Sequence, residues 1–385
     1  MHQKLPMTLQ LTLIQLFTIC AVLNGFVFSV LIFDKKENRF ANRFLALTII
    51  CMCLTFTPYM LDPQIWHSYR WLAWLPFSLS YWIGPSFYFY TLTLTNPDWR
   101  FRKVHLWHFT PIILNYLHSV YHLVFPGNHT PWYWFHFISE IFESVAILSI
   151  LIYMFYSFRL IRNYQKILLD NVSNTERLQL NWLKQIILVI MTSFIFILIF
   201  LAISSGASGM VFFHQWNQYR SVVLLLYALV LYWLSIFGFQ QTQTLKLHRD
   251  LSTSPTSIDP RSQNVLAKLI TAMEEQKLYR NPTLTLSDLS EVVQESNRTI
   301  SSVINSQTQK NFFHFVNEFR VRDMQEKLDD PRNNNLKIIS LAYDSGFNSK
   351  ATFNRIFKSY TGMTPVAYKG KINPSNQQLR PKNLN

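Results

Sequence analysis

The chain has 385 residues, of which 49% are hydrophobic, 16% are aromatic and only 15% are charged, and its net charge at pH 7 is +14. Because so few charged side chains cannot cover the surface of a soluble protein of this length, the composition excludes a single soluble domain. The three cysteines, Cys20, Cys51 and Cys53, lie in apolar stretches and are too few for a disulfide framework or a zinc site with four cysteine ligands.

Seven apolar stretches fill the N-terminal part of the chain, and each approaches the roughly 20 residues that a helix needs to cross a bilayer core. The first is too long for the apolar core of a signal peptide and is followed by no small-residue cleavage site, so we interpret it as a permanent span. We therefore predict an all-α protein in which residues 1–241 form a seven-helix transmembrane bundle that acts as a sensor domain. The predicted spans are 8–33, 44–61, 71–94, 105–125, 135–158, 186–205 and 222–239.

The loops between these spans differ in charge from one side of the membrane to the other. The loops after the first, third and fifth spans contain twelve Lys and Arg residues, whereas the opposite side has three, Lys4, Arg70 and Arg220. Because Lys and Arg in short loops favour the cytoplasmic side, this bias predicts an N-terminus outside the cell and a C-terminal region in the cytoplasm.

A change of composition follows the last predicted span. Residues 242–263 are polar and contain several Ser, Thr and Pro residues, which is typical of a linker. From Val265 onward the helical periodicity returns in short, capped segments without membrane-length apolar stretches. We interpret this second region as a water-soluble helical domain.

Two short helices are predicted early in the soluble domain. Thr285 with Asp288 three residues later forms a capping-box pattern, which predicts a helix over 286–294. Ser296 is a favourable N-cap for a second helix over 297–306. Two short helices joined by such a turn indicate a helix-turn-helix (HTH) motif. Spacing places Ile300, Val303 and Ile304 inward, and Arg298, Ser301, Ser302 and Asn305 outward.

The same pattern recurs toward the C-terminus. A helix is predicted over 336–345, Gly346 supplies a turn, and Ser349 caps a helix that ends near Tyr360. Between the two motifs, a long helix is predicted over 311–329. The predicted core residues are Phe353, Ile356 and Phe357 in the second motif and Phe312, Phe315, Val316, Phe319 and Met324 in the long helix, and the outward residues of the second motif are Lys350, Asn354, Arg355 and Lys358.

These segments, with FFHFVNEFRVRDMQEKL and IISLAYDSGFNSKATFNRIFKSYTGMTPVAY, closely resemble the C-terminal domain of the AraC family of bacterial regulators. The resemblance covers residues 265–369 and is strongest to the branch whose DNA-binding domain follows a multispan membrane region. It implies a double-HTH DNA-binding domain at 264–370, a flexible tail at 371–385 and a location in the bacterial inner membrane.

In that family two recognition helices enter successive major-groove faces of the DNA. The resemblance implies base contacts in the first motif from Arg298, Ser301, Ser302 and Asn305, and in the second motif from Lys350, Thr352, Asn354 and Arg355. Lys358, together with Arg320 or Arg322, is the implied phosphate contact. Gln309 stands where the family commonly has a turn glycine, and the first motif presents small hydroxyl residues, so we expect the second motif to contribute more affinity.

Ionisable residues inside predicted spans are candidates for sensing a signal. They are His118, His122, His136, Glu140 and Glu143. One interpretation is that they hydrate helix ends near the outer face; the alternatives are polar anchors for an external small molecule, or metal or pH sensing. We expect no resident metal and no cofactor.

The function predicted from the sequence is a one-component transcription regulator that senses a signal through its membrane domain. Its expected partners are specific double-stranded DNA, the lipid bilayer, RNA polymerase, a small-molecule effector and a second copy of the chain. The alternative is a membrane transporter or enzyme whose DNA-binding tail regulates its own synthesis; against it, the sequence has no phosphate-binding glycine loop, HExxH or GxSxG motif. A third alternative is proteolytic release of the tail. Activation or repression stays open.

Overall fold

A computed structural model of the chain describes residues 13–60, 79–96, 98–124, 132–175, 178–204, 209–241 and 260–372. Within these ranges every regular element is a helix, and the only strand-like feature is an isolated bridge between Val172 and Thr285, which confirms the all-α prediction. Most of the predicted linker and of the predicted C-terminal tail lies outside the described residues.

The chain divides into two compact units, and the division does not follow the sequence order. The first unit contains residues 1–162 and 180–246, and the second contains 163–179 and 247–385. The short segment 163–179, which the sequence places in a loop of the membrane domain, therefore folds with the C-terminal part of the chain.

Among the described residues, seven α-helices lie wholly or mainly in the first unit. They are α1 Leu13–Asp34, α2 Arg39–Met60, α3 Ser80–Thr95, α4 Pro111–Val124, α5 Trp132–Asn171, α6 Asn181–Ser204 and α7 Gly209–Gln240. Helix α5 has 40 residues and continues from the first unit into the second.

Four helices among the described residues are long and apolar enough to cross a bilayer, by length and composition. Their apolar parts are Leu13–Asp34, Arg39–Pro58, Ile141–Asn171 and Val222–Gln240, and a shorter apolar helix covers Asn181–Ile195. Large apolar side chains on these helices point away from the protein, among them Leu23, Val27 and Val30 of α1. Apolar surface of this kind is compatible with a lipid environment.

The fourth predicted span, 105–125, differs from the expectation. It is divided into a 3-10 helix, Lys103–Phe109, and the 14-residue helix α4. The division falls at Pro111, which cannot donate a backbone hydrogen bond and is therefore favoured at the first position of a helix. The third predicted span cannot be compared over its first third, because residues 71–78 lie outside the described residues.

Small hydroxyl side chains connect helices inside the first unit. The Thr48 hydroxyl on α2 donates to Ser86 on α3 over 3.0 Å, and the Thr91 hydroxyl on α3 donates to Ser157 on α5 over 3.1 Å. Such contacts let apolar helices approach closely and are typical of packing in a bilayer. Lys35, in the turn after α1, donates to the carbonyl oxygen of Phe239 at the end of α7.

The described helices of the second unit are 7 to 18 residues long. They are α8 Pro260–Glu274, α9 Leu286–Val293, α10 Asn297–Thr308, α11 Phe312–Asp329, α12 Ile338–Asp344, α13 Lys350–Thr361 and α14 Pro365–Ile372. Helix α8 begins inside the stretch that we interpreted as linker, with a proline in its first turn.

One helix, α11, carries both hydrophobic cores of this unit. Its Phe312, Phe315, Val316 and Phe319 pack with α8, α9 and α10, and its Phe313, Val321, Met324 and Leu328 pack with α12 and α13. The two cores lie on different sides of the same rod. We call α11 the connecting helix, because it joins the two HTH motifs.

Candidate DNA-binding interface

The first HTH motif has the N-terminal caps that the sequence predicts. The Thr285 backbone N–H donates to the Asp288 carboxylate over 2.8 Å, and the Asp288 N–H donates to the Thr285 hydroxyl over 3.2 Å, which confirms the capping box. Ser296 caps α10 by accepting a hydrogen bond from the Thr299 N–H. These caps fix where each helix begins and in which direction it starts, and hence the angle between the two helices.

Three residues of α10, Ile300, Val303 and Ile304, are buried as predicted, and they determine which side of the helix faces outward. On the other side Arg298 and Asn305 are exposed, whereas Ser301 and Ser302 are half-buried. Gln309 ends the helix with a φ of 56°, in the left-handed region that favours glycine. The structure thus brings the four outward candidates to one helix, with its two longest side chains exposed.

The second HTH motif presents a more basic surface. Ser349 caps α13 by accepting from the Thr352 N–H over 3.1 Å, and Phe353, Ile356 and Phe357 are buried beneath the helix. The exposed residues of α13 include Lys350, Asn354, Arg355 and Lys358.

Thr352 does not share that exposure. Only 6% of its surface is accessible, and its hydroxyl lies 3.1 Å from that of the capping Ser349. The prediction that Thr352 presents its side chain to a base is therefore wrong, because the residue is occupied in the N-cap of α13.

Positive charge is concentrated beside α13. The pKa of His314, at the start of the connecting helix, is lowered first by burial and then by the positive charges of Arg355 and Lys310. The His314 ring nitrogen Nδ1 lies 3.2 Å from the Tyr360 hydroxyl, which attaches the histidine to the end of α13. A neutral histidine here leaves the surface charge to the lysines and arginines, which suit the phosphates of DNA.

Arg320 contradicts the sequence-based prediction. It lies in the middle of the connecting helix and is 1% exposed, so its guanidinium group cannot reach a phosphate. Its five hydrogen bonds all go to neutral oxygens inside the second unit. Burial lowers its pKa to about 9, which still leaves the group charged at neutral pH. The neighbouring Arg322 is exposed and lies 3.5 Å from Glu274.

A carboxylate that the sequence analysis did not single out joins the two motifs. Asp323 on the connecting helix accepts hydrogen bonds from Tyr279 and Arg280 beside the first motif and from Ser345 in the turn of the second. Lys327, one helical turn later, lies 2.7 Å from the same carboxylate. The sequence signal was the i, i+4 pair of Asp323 and Lys327, which is common on exposed helix faces and therefore did not stand out.

The candidate sensing residues lie on α4 and α5. His118 packs beside the ring of Phe142, with ring centroids 5.3 Å apart, and Glu143 is exposed. The side chains of His122, His136 and Glu140 lie outside the described residues. Among the described side chains, no group of three or more His, Cys, Asp and Glu residues could hold a metal ion.

The first unit also contains an open cavity of about 450 Å3 that sequence analysis did not predict. It lies between α3, the 3-10 helix and α5, and its polar groups include the His108 ring and the Tyr153 hydroxyl, which are joined by a 2.7 Å hydrogen bond. The walls also include Tyr88, Leu148 and Tyr156, which makes the cavity largely apolar and aromatic.

Comparison with known proteins supports the interpretation of the C-terminal part. The family model of a helix-turn-helix domain matches residues 289–371. Two proteins of Staphylococcus aureus, from strains COL and MSSA476, each called an uncharacterized HTH-type transcriptional regulator, are 35% identical to the chain over 94 residues. The match covers 24% of this chain and only 12% of each relative. No solved structure matches the chain. The C-terminal part therefore carries an AraC-type HTH domain, the kind of domain that binds DNA.

Proposed function

We propose that the protein is a membrane-bound transcription regulator that recognises a specific DNA site through its two HTH motifs. The observation that carries the proposal is the pair of capped helices, α10 and α13, each anchored by a buried apolar stripe on the connecting helix, with polar and basic residues outward. Two recognition helices on one rigid support match the requirement of successive major-groove contacts. The matched HTH domain favours a regulator over the alternative of a transporter or enzyme.

The residues of α13 are the main candidates for reading bases. Arg355 has the donors for guanine, and the Asn354 amide has the donor and acceptor for adenine. Lys358, further along the same helix, suits a phosphate. In the first motif Arg298 and Asn305 are the exposed candidates, and the half-buried Ser301 and Ser302 suit contacts through water.

The membrane location rests on the apolar helices and on the loop charges. In the proposal, residues 1–241 cross the inner membrane seven times with the N-terminus outside, 242–263 form a linker, 264–370 bind DNA in the cytoplasm and 371–385 form a tail. The support is the four long apolar helices and the excess of Lys and Arg in alternate loops. A DNA-binding domain must also lie on the cytoplasmic side of the membrane, where the DNA is.

The proposal includes a signal received by the membrane domain and passed to the DNA-binding domain. A small-molecule effector near His118 and Glu143, a contact with RNA polymerase and pairing of two chains are parts of this proposal. A single chain already carries two recognition helices, so pairing is not required by groove spacing.

Genome-wide footprinting of the full-length protein in its own cells tests the function, with purified protein in lipid nanodiscs as the second measurement. We expect discrete protected sites, and binding to them that weakens steeply as salt concentration rises. The double variant Asn354→Ala with Arg355→Ala should no longer protect these sites but should keep its nonspecific binding to DNA. If the wild-type protein protects no more than random positions and binds those fragments no better than random DNA, sequence-specific regulation is wrong.

A further inference from the structure

The segment that links α5 to α6 is part of the second unit. The backbone N–H of Ser173 donates to the carbonyl of Leu284 over 3.1 Å, and the Ser173 hydroxyl donates to the same carbonyl over 2.7 Å. The preceding residue, Val172, pairs with Thr285 in the isolated antiparallel bridge. Ser173 is 1% exposed, so the segment is inserted into the unit and does not merely lie on it.

The same serine completes the surroundings of the buried Arg320. Its carbonyl accepts from Nη1 over 3.2 Å, and its hydroxyl accepts from Nη2 over 3.0 Å. The other three bonds of the guanidinium group go to Asn317, Tyr279 and Asn281. A buried charge without a carboxylate partner is stable only when each of its N–H groups finds an acceptor, and Ser173 supplies two of the five.

The segment contacts three parts of the DNA-binding unit at once. Leu284 and Thr285 lead into the first motif, Asn317 donates its amide to the Ser173 carbonyl from the connecting helix over 3.2 Å, and Leu169 packs against the core of the second motif. Leu169 belongs to the last turns of α5, which run without interruption from the apolar part of that helix.

We propose that residues 163–179 are a coupling element, a piece of the membrane domain docked through Ser173 onto Arg320 and Asn317, by which α5 controls the arrangement of the two HTH motifs. The inference rests on the proposed function in that the receiving unit binds DNA. A rotation or shift of α5 moves Ser173, which lies two residues beyond the end of that helix, and Arg320 transmits the change to the connecting helix. The 242–263 linker then serves as a covalent tether, and the signal enters through 163–179.

Docking is tested by cross-linking the full-length protein in membrane vesicles. Residues opposite each other in an antiparallel bridge have Cα atoms about 4.5–5.5 Å apart, within the range of a disulfide bond. The pair Val172→Cys and Thr285→Cys, oxidised with copper phenanthroline, should therefore hold the two halves together after cleavage at a protease site inserted between residues 242 and 259. Each single variant controls for pairing with the natural cysteines.

The matched control pair is Val172→Cys with Glu291→Cys. Glu291 is exposed on α9, about 9 Å further along the helix axis than Thr285. We expect the first pair to stay joined and the control pair to separate. Equal separation of both pairs overturns the docking.

Coupling is tested by insertion of two alanines between Arg162 and Asn163, which turns the end of α5 by about 200° relative to the preceding helix. We expect affinity for a footprinted site, measured in nanodiscs, to change at least about fivefold, whereas the same insertion within 242–259 changes it less than about twofold. If both insertions change the affinity for the site by the same factor, the coupling is overturned.

A milder variant tests the same contact in case the chain with the alanine insertion does not fold. Ser173→Ala removes the hydroxyl but keeps the backbone, and Ser340→Ala is the same change at an exposed helical serine. We expect the Ser173→Ala chain to exchange amide hydrogens in 168–175 about tenfold faster than the wild type, and the control to match the wild type. Exchange as slow as in the control contradicts the proposal. If the wild-type chain binds no specific site, the proposed function fails, while the cross-linking and exchange still test the docking.

Discussion

The hydroxyl of Ser345 donates a 2.6 Å hydrogen bond to Oδ2 of Asp323, which fastens the turn of the second HTH motif to the connecting helix. The other oxygen of the same carboxylate accepts from Tyr279 over 2.9 Å and from Arg280 over 2.8 Å, beside the first motif. One side chain therefore holds both motifs against α11. In the proposed function both recognition helices contact DNA together, so the contacts of Asp323 help to set their relative orientation.

Asp323→Asn should destabilise the second unit in a pH-dependent way. Burial alone raises the pKa of Asp323, but hydrogen bonds from Lys327, Ser345, Arg280 and Tyr279 outweigh burial and lower it from 3.8 to about 2. Because the pKa is lower in the folded state, the stabilisation is fully present above about pH 4 and is lost as the pH falls toward 2. We expect a loss of about 2 kcal/mol at pH 7.

Urea unfolding of the second unit, followed by pulsed hydrogen exchange at pH 7 and pH 3, measures this difference. The difference in the free energy of unfolding between the wild type and Asp323→Asn should be smaller at pH 3 than at pH 7. Asp329→Asn, at an exposed position of the same helix, is the control and should have little effect. A gap that is the same at both pH values would contradict the role of the charged carboxylate.

Gly346→Ala should be strongly destabilising. Gly346 has a φ of 89°, and a Cβ at this position would collide with the Tyr279 carbonyl oxygen and lie 2.9 Å from the Cα of Arg280. Backbone atoms cannot move aside without displacing the second motif, so we expect a loss of more than about 2 kcal/mol. Gly362→Ala is the matched control, because Gly362 also has a positive φ, 74°, but nothing lies within 4 Å of its Cβ.

For Gly362→Ala only the conformational cost remains, about 1 kcal/mol. Thermal unfolding of the two variants in nanodiscs, read by hydrogen exchange of 260–372, compares them. Equal losses would show that the close contact between Gly346 and Tyr279 does not matter.

Substitutions on α13 should separate base contacts from phosphate contacts. Arg355→Ala should cost about 1–3 kcal/mol at a specific site and relax the preference at one base pair. Lys358→Ala should weaken specific and nonspecific DNA about equally and reduce the slope of log affinity against log salt by about 1. Lys268→Ala, exposed on α8 and outside both motifs, is the control and should change neither quantity. If Lys358→Ala alters base preference instead, the two roles are reversed.

Arg320→Lys should lower stability and leave the salt dependence of DNA binding unchanged. Lysine has three donors on one nitrogen and cannot reach five separate oxygens, so buried acceptors lose their partners. We expect a loss of about 2–4 kcal/mol in the second unit. Titrations of DNA at several salt concentrations test the second part: a slope reduced by about 1 would indicate a phosphate contact and restore the role that the sequence suggests.

Much of the second unit could be predicted because its signals are local. The capping box at Thr285 and the N-caps at Ser296 and Ser349 act within three residues, and the inward stripes repeat every three or four residues. The sequence also contains a signal for the burial of Arg320, since Val316, Arg320 and Met324 follow one another at four-residue spacing on the core face. An arginine in such a stripe is easily assigned to the solvent side, because charged side chains are usually exposed.

What the sequence could not reveal are contacts between distant parts of the chain. The acceptors of Arg320 are mostly carbonyl groups, which every residue possesses and which no residue type marks. The division of the fourth span at Pro111 is a local signal, but hydropathy averages over it. The predicted count of seven spans stays a prediction, with four long apolar helices among the described residues.

The docking of Ser173 onto Arg320 also bears on how the protein is made. The two residues are 147 positions apart, so at about 5–20 residues per second Ser173 is synthesised roughly 7–30 s before Arg320. During that interval α6 and α7 are synthesised, and the binding place for the serine has not yet been made. Assembly of the second unit must therefore wait for the last third of the chain, which is made only after α6 and α7 have been synthesised.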